Sequence, residues 1–177
     1  NPPINPPTTY AAGKASADIA LRSWVNMFDL DAFIVRPFNN YGPRQNHQGY
    51  LAGIIPITIW RILNHINPEI HGTGSQSRDF IYVFDTIDAI IKLYPKIQKA
   101  DSVNISTDGQ IAMNSVIQKI ADIMGYEGPI EKKMARGADV ECHNANNDKI
   151  KSMIDYRLTS FDEGLEKTIR WYTDSIK

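Results

Sequence analysis

The sequence has little cysteine, no surplus of charge of either sign and no long hydrophobic run. Its one cysteine, Cys142, excludes an internal disulfide and a cysteine-based zinc site, and it favours a reducing, cytoplasmic setting. The 19 lysines and arginines are balanced by 20 aspartates and glutamates, so the basic surplus typical of a nucleic-acid partner is absent. No stretch reaches the roughly 18 apolar residues that span a membrane, so no membrane partner is expected.

Two further patterns are missing. The N-terminal residues NPPINPPTTY lack the charged segment followed by an apolar segment that marks a signal peptide. Their prolines are typical of a loop that follows other structure, and we expect Asn1 to be a cut point within a longer chain. The histidines, His47, His65, His71 and His143, are not spaced like metal ligands, so we predict no metal site and place them in loops or on the surface.

Helical and strand-like segments alternate along the chain, which predicts an α/β fold. The segments predicted as helices are 8–28, 54–63, 86–94 and 147–154, and those predicted as strands are 32–35, 68–71, 79–83, 103–105 and 130–133. Residues 39–48 are rich in Asn, Gly and Pro and are predicted to form a loop. Asn114 is expected to cap one more helix, and Ser160 with Glu163 forms a capping box before the last helix.

The first candidate for chemistry is Tyr10 with Lys14, in the pattern Tyr-x-x-x-Lys. Residues four apart share one face of a helix, so the lysine brings positive charge near the tyrosine hydroxyl and favours the phenolate. Such a tyrosine can act as a general acid or base toward a hydroxyl group, and the lysine can donate hydrogen bonds to a ribose. The pattern is short and also arises by chance, so an ordinary surface pair is an open alternative.

Two polar segments are candidates for binding phosphate or sugar. Residues 36–45, RPFNNYGPRQ, follow a short apolar strand, and ligands of open α/β sheets bind at the carboxyl ends of strands. Residues 72–79, GTGSQSRD, combine glycines with Arg78, whose guanidinium could clamp two phosphate oxygens. The ordinary alternatives are a polar surface turn and a hairpin turn carrying a surface pair of Arg78 and Asp79.

The order of the segments is more specific than any one of them. Tyr-x-x-x-Lys, RPFNNYGPRQN, GTGSQSRDFIYVFD, VNISTDG, RGAD and SFDEGLEKTIRWY follow one another over residues 7–172. The series resembles the C-terminal half of the extended short-chain dehydrogenase/reductase family, the NAD-dependent epimerases and dehydratases of nucleotide sugars, of the UDP-glucose 4-epimerase type. The family's N-terminal half, with its glycine-rich phosphate loop, has no counterpart in this sequence.

The resemblance implies an α/β fold in two parts. Residues 1–38 would be the last part of a Rossmann-like domain and would include the Tyr-x-x-x-Lys helix. Residues 39–177 would form mainly a small mixed α/β substrate-binding lobe, with segments that return to the Rossmann sheet.

The resemblance also implies residues that act on the cofactor. Tyr10 resembles the catalytic tyrosine that takes a proton from the sugar 4-hydroxyl as hydride passes to NAD. Lys14 resembles its partner, which also binds the nicotinamide ribose. Pro37 and Phe38 resemble residues that line the nicotinamide side of the site.

Six more residues resemble substrate ligands of the family. Asn39 and Arg78 would contact the sugar diphosphate, and His71 falls where an aromatic residue often stacks on the base. The other implied ligands are Ile54, at the start of the next helix, and Arg136 and Asp139, which would hold the phosphate and the nucleoside ribose. Gly53 departs from the family, in which many epimerases have an asparagine that contacts the substrate.

The implied activity is 4-epimerisation of a UDP-hexose by transient NAD-dependent oxidation at C4. The whole protein would be a homodimer whose interface includes the helix that carries Tyr10 and Lys14, and this chain alone would be inactive. Two alternatives stay open. One is a nucleotide-sugar 4,6-dehydratase, whose additional Asp–Glu pair would lie upstream of Asn1. The other is a module that binds nucleotide sugar or dimerises without catalysis.

Overall fold

The computed structural model describes residues 5–6, 8–49, 52–135 and 141–176. The described helices are α1 (Thr9–Phe28), α2 (Ile54–Leu63), α3 (Val83–Leu93), α4 (Met113–Met124), α5 (Asp148–Met153) and α6 (Phe161–Ser175). The described strands are β1 (Ile34–Pro37), β2 (Asn39–Tyr41), β3 (Glu69–His71), β4 (Ser77–Arg78), β5 (Phe80–Tyr82), β6 (Ser102–Ile105), β7 (Ile111–Ala112), β8 (Glu131–Lys133) and β9 (Cys142–His143). Helices and strands alternate, as the sequence predicts.

The described strands pair in four small sheets. β1 runs parallel to β6, β2 to β5 and β3 to β8, while β4 lies between antiparallel β7 and parallel β9. Parallel neighbours require a long crossover, and here helices supply it. Strands β1 and β2 therefore lie beside β6 and β5, which come later in the chain.

Two apolar clusters hold the elements together. The first contains Tyr41, Ile55, Ile59, Phe80, Tyr82, Val116, Ile120, Leu165, Ile169 and Tyr172. The second contains Ile81, Ala89, Leu93, Val103, Ile105, Ile150 and Ile154. Successive side chains of a strand point to opposite faces, and β5 accordingly contributes Phe80 and Tyr82 to the first cluster and Ile81 to the second.

Polar contacts fix α1 against the first sheet. Arg22 donates hydrogen bonds to the carbonyl oxygen of Ala100 at 2.6 Å and to Ser102 Oγ at 2.9 Å. The Arg36 guanidinium, in β1, contacts the Asp18 carboxylate through Nε at 2.7 Å and Nη2 at 2.5 Å. These contacts set the position of the helix relative to the strands, and with it the position of the residues in its first turn.

Some local predictions are wrong for identifiable reasons. Residues 39–48 are predicted as loop, yet residues 39–41 form β2, because pairing with β5 outweighs the preference of asparagine for turns. Asn114 is predicted to cap α4, but Ala112 is the capping residue and Asn114 Oδ1 accepts a hydrogen bond from the amide of Ser115. Ser160 caps α6 as predicted, since its hydroxyl accepts a hydrogen bond from the amide of Glu163 at 3.3 Å.

Two helical glycines give opposite expectations for stability. A Cβ at Gly13, in α1, would meet nothing within 4 Å, so Gly13→Ala is expected to raise the free energy of unfolding by roughly 0.5–1 kcal/mol. A Cβ at Gly164, in α6, would overlap the hydroxyl of buried Tyr41, so Gly164→Ala is expected to lower it by about 1–3 kcal/mol. Denaturant titration measures both variants, and a shift of the same sign in both would contradict this packing.

Candidate active site

A cleft of about 790 Å³ opens between α1, α2 and the strands β1 to β4 and β9. Its volume lies within the range typical of sites for small molecules, roughly 300–1,000 Å³. Seven of the ten predicted site residues line this one cleft: Tyr10, Pro37, Phe38, Asn39, Ile54, His71 and Arg78. Arg136 and Asp139 lie outside the described residues. The fold thus brings together side chains that are as far as 68 positions apart in the sequence.

Tyr10 lies in the first turn of α1, which Thr8 begins by accepting a hydrogen bond from the amide of Ala11 at 3.1 Å. The tyrosine side chain is 73% exposed and borders the cleft. Lys14 does not line the cleft, but its Nζ lies 5.5 Å from the centroid of the Tyr10 ring. The helix therefore presents a phenol to the cleft with a positive charge beside it, as the four-residue spacing predicts.

Pro37 and Phe38 form an apolar wall of the cleft that Tyr10 also borders. β1 ends at Pro37, and the amide of Phe38 donates a hydrogen bond to the carbonyl oxygen of Ile105 at 2.9 Å. The Phe38 ring stacks on the imidazole of His143, with centroids 4.9 Å apart and planes inclined by 27°. His143 is exposed, as the prediction of a loop or surface residue allows, but it lies in β9 and also lines the cleft. A strand of two residues leaves no periodic signal in a sequence.

The buried carboxylate of Asp79 organises the backbone next to the cleft. It accepts hydrogen bonds from the amide of Thr107 at 2.9 Å, from Thr107 Oγ1 at 2.6 Å and from the amide of Asp108 at 3.1 Å. Its main-chain carbonyl accepts from the backbone amide of Asn39 at 3.1 Å and from Asn39 Nδ2 at 2.9 Å. The alternative of a surface pair with Arg78 is therefore wrong, because Asp79 is fully buried and the loop after β6 supplies its partners.

Arg78 and His71 border the part of the cleft that β3 and β4 form, and both are half-buried. Arg78 Nη1 donates to the carbonyl oxygen of Ser77 at 2.8 Å. His71 Nδ1 lies 3.3 Å from the carbonyl oxygen of Met134. A guanidinium and an imidazole at one end of a cleft suit an anionic group and a flat ring.

Among the polar residues of the wall, Arg61 was not singled out by sequence reasoning. Arg61, in α2, donates to the carbonyl oxygen of Asn67 at 2.6 Å and forms an ion pair with Glu69 at 2.9 Å. The available signal was the single charge in an otherwise apolar helix. Gln45 ends the segment 36–45 that the sequence predicts as a candidate for binding phosphate or sugar, and it lines the cleft.

Tyrosines whose hydroxyls are withdrawn from solvent make the stability of the fold depend on alkaline pH. Burial raises the pKa of Tyr172 from 10.0 to about 12, and burial also raises the pKa of Tyr41 and of Tyr156. The folded state therefore holds these protons at pH values where the unfolded chain loses them. The free energy of unfolding is expected to fall as the pH rises above 10, which denaturant titrations at pH 8 to 11.5 measure. A value that stays constant over that interval would contradict burial of these hydroxyls.

The described part of the chain contains no group of three or more His, Cys, Asp or Glu side chains arranged to hold a metal ion. None of the helices in the described ranges has the length and apolar character that a bilayer crossing requires.

Comparison with known proteins finds relatives among nucleotide-sugar epimerases and dehydratases. The model of the NAD dependent epimerase/dehydratase family matches residues 1–106. The chain is 28% identical over 171 residues to a UDP-glucose 4-epimerase of Mycolicibacterium smegmatis, an alignment that covers 96% of this chain and 54% of that protein. The chain therefore spans about half the length of the curated relatives it matches.

Two solved structures have a fold similar to that of this chain. One is the UDP-glucose 4-epimerase of Thermotoga maritima with UDP-glucose, at 27% identity and a TM-score of 0.89, covering 95% of this chain and 54% of that one. The other is a dTDP-glucose 4,6-dehydratase of Bacillus anthracis in complex with NAD, at 27% identity and a TM-score of 0.86, covering 98% and 54%. These superpositions confirm the predicted fold class.

Proposed function

Because this chain belongs to the NAD dependent epimerase/dehydratase family, we propose that its cleft binds a nucleotide sugar together with the nicotinamide end of NAD. The proposed activity of the full-length gene product is 4-epimerisation of a UDP-hexose by transient oxidation at C4. The observation that carries the proposal is the shared cleft, which is lined by seven residues that the family resemblance assigns to cofactor and substrate.

The residues present fit the nicotinamide end of NAD. Pro37 and Phe38 offer an apolar wall of the cleft, Tyr10 offers a hydroxyl at its border, and Lys14 offers a cation beside the Tyr10 ring. Tyr10 and Lys14 would hold the nicotinamide ribose by hydrogen bonds, and the wall would orient the ring. When bound, NAD supplies reversible acceptance of a hydride from C4 of the sugar.

Tyr10 performs the proton transfer in this proposal. Its phenolate oxygen takes the proton of the sugar 4-hydroxyl while C4 is oxidised. The hydroxyl formed in this way returns that proton when C4 is reduced. Lys14 lies beside this residue, with its Nζ 5.5 Å from the centroid of the Tyr10 ring. The exposure of Tyr10 at the edge of the cleft leaves its hydroxyl accessible to a ligand.

The other end of the cleft holds the nucleoside diphosphate. Arg78 would clamp the phosphate oxygens, and His71 would stack on the base. Asn39 Nδ2 carries two hydrogens and donates one of them to the Asp79 carbonyl. The other would be donated to the diphosphate. Ile54 begins α2, and the first amides of a helix have no partner within it, which suits phosphate oxygens. Arg136 and Asp139 are proposed as further ligands on the resemblance alone.

The whole protein is proposed to be a homodimer. The apolar side chains of Trp24, Met27 and Phe28, on the last turns of α1, are all more than half exposed. Apolar residues grouped on one helix in this way are typical of surfaces that another molecule covers. This observation supports the expected role of α1 in the interface.

A second candidate is a nucleotide-sugar 4,6-dehydratase. The chain is as similar in sequence to the Bacillus anthracis dehydratase as to the Thermotoga maritima epimerase, at 27% identity to each. The cleft residues Tyr10 and Lys14 would serve the oxidation step of either reaction. The choice therefore depends on acids that would remove the C5 proton and release the C6 hydroxyl.

Product analysis tests the proposal. The full-length gene product is incubated separately with UDP-glucose, UDP-N-acetylglucosamine and dTDP-glucose, and the sugars are identified by NMR. A C4 epimer of a UDP-sugar is the expected product. A 4-keto-6-deoxy sugar from dTDP-glucose would favour the second candidate, and the absence of any change in all three sugars would contradict both.

A further inference from the structure

The side chain of Gln45 carries an oxygen that has no hydrogen-bond partner in the described part of the chain. Its Nε2 donates to the carbonyl oxygen of Asn40 at 3.0 Å, and its Oε1 is buried and unpaired. Leaving a buried acceptor without a donor is unfavourable by about as much as a hydrogen bond is favourable or more. Gln45 belongs to the wall of the cleft, so a bound ligand is the natural source of the missing donor.

Gly53 provides the space that this carboxamide occupies. A Cβ at residue 53 would lie 2.8 Å from Gln45 Nε2 and 3.4 Å from Gln45 Cδ. The backbone angles of Gly53, φ −76° and ψ 159°, are open to any residue. The glycine is therefore explained by space and not by conformation, and a side chain at the start of α2 would displace the carboxamide of Gln45.

The surroundings hold the carboxamide in one orientation before any ligand binds. Asn40, whose carbonyl oxygen accepts from Gln45 Nε2, is itself fixed by a hydrogen bond of 2.6 Å from Thr86 Oγ1 to its side-chain oxygen. The main-chain oxygen of Gln45 accepts the hydroxyl of Tyr172. A polar group that is fixed in this way loses little further freedom when a ligand binds.

We propose that Gln45 Oε1 accepts a hydrogen bond from a hydroxyl group of the hexose, which makes Gln45 a sugar-binding residue; this rests on the proposed function. Phosphate oxygens at neutral pH offer no proton, so the diphosphate is excluded as the partner. The carboxamide is anchored to Asn40, two positions after the Phe38 wall, whereas the base is assigned to the end of the cleft at His71. Hydroxyl groups of the hexose are donors of the kind that this oxygen lacks.

Two single variants and their combination test this role in the full-length gene product. Gln45→Met keeps the length of the side chain and removes both polar atoms, while the Tyr172 contact with the main chain stays. Gly53→Ala keeps Gln45 but pushes its carboxamide aside. Titration calorimetry measures the dissociation constants of UDP-glucose and of UDP for each variant, and the melting temperature reports on folding.

Each single variant is expected to weaken binding of UDP-glucose by about 5- to 100-fold and binding of UDP by less than about 2-fold. In the Gln45→Met background, Gly53→Ala is expected to have no further effect on UDP-glucose, because the group that it displaces is already gone. Additive losses would overturn the proposed link between the two residues.

The remaining outcomes separate the two proposals. Equal losses for UDP and UDP-glucose would overturn the sugar contact and would place Gln45 at the nucleotide or in the framework. Unchanged binding of UDP-glucose in both single variants would also overturn it. Failure of the unchanged protein to bind UDP at all would overturn the proposed function and this role of Gln45 together.

Discussion

Tyr10→Phe is expected to lower kcat of the full-length gene product by about 10²- to 10⁴-fold, the contribution typical of a positioned general acid or base. The variant keeps the ring beside Lys14 and removes only the hydroxyl that exchanges a proton with the sugar. Because Tyr10 is 73% exposed in the first turn of α1, the free energy of unfolding is expected to change by less than about 0.5 kcal/mol. KM for the UDP-hexose is expected to change little, since binding relies on other parts of the cleft.

Tyr94→Phe is the matched control for this experiment. Tyr94 is likewise exposed, and its ring centroid lies 6.2 Å from that of Phe33. It does not line the cleft. Its variant is expected to leave both kcat and stability unchanged. A Tyr10→Phe protein with more than about a third of the unchanged protein's kcat would contradict the assignment of Tyr10 as the proton-transferring residue.

Asp79→Asn is expected to lower the free energy of unfolding by about 2–4 kcal/mol. The fully buried carboxylate accepts from the amide of Thr107, the hydroxyl of Thr107 and the amide of Asp108. An asparagine has one acceptor oxygen in place of two, and its amino group would face donors. At least one of these buried donors is then left unpaired, and hydrogen bonds to a charged acceptor are stronger than those to a neutral one.

Denaturant titration at neutral pH measures this loss, and Asp174→Asn serves as the control. Asp174 is exposed in the last turn of α6, so its variant is expected to change stability by less than about 0.5 kcal/mol. A loss below about 1 kcal/mol for Asp79→Asn would show that the carboxylate does not hold the loop after β6. Because the Asp79 carbonyl positions Asn39, weaker binding of UDP is expected to accompany the larger loss.

The helices were predictable because their signal is local. α2 has both ends where the apolar run predicts them, and α6 begins at its capping box. β2 was not predictable from its own residues, since Asn39 and Asn40 favour turns and become a strand only by pairing with β5. The strands β4, β7 and β9 have two residues each, which is too short for a periodic pattern.

The site residues also fall into those that a local sequence signal marks and those that only the fold brings into place. Tyr10 and Lys14 were found from a spacing along one helix, and the ordered motifs pointed to Phe38 and Arg78. The partners of Asp79 were hidden, because Thr107 lies 28 positions away and meets the carboxylate only in the folded chain. Gln45 lies in a segment that was predicted to bind phosphate or sugar, but the position of its carboxamide depends on the side chain that Gly53 lacks.

Transient oxidation at C4 is the central claim, and the fate of the hydrogen at C4 tests it most directly. The full-length gene product is given UDP-glucose that carries deuterium at C4, in ordinary water, and the product is examined by NMR and mass spectrometry. We predict a C4 epimer that retains the deuterium at C4, because the hydrogen removed from that carbon returns to its other face. A C4 epimer that carries hydrogen from water at C4 would contradict the account.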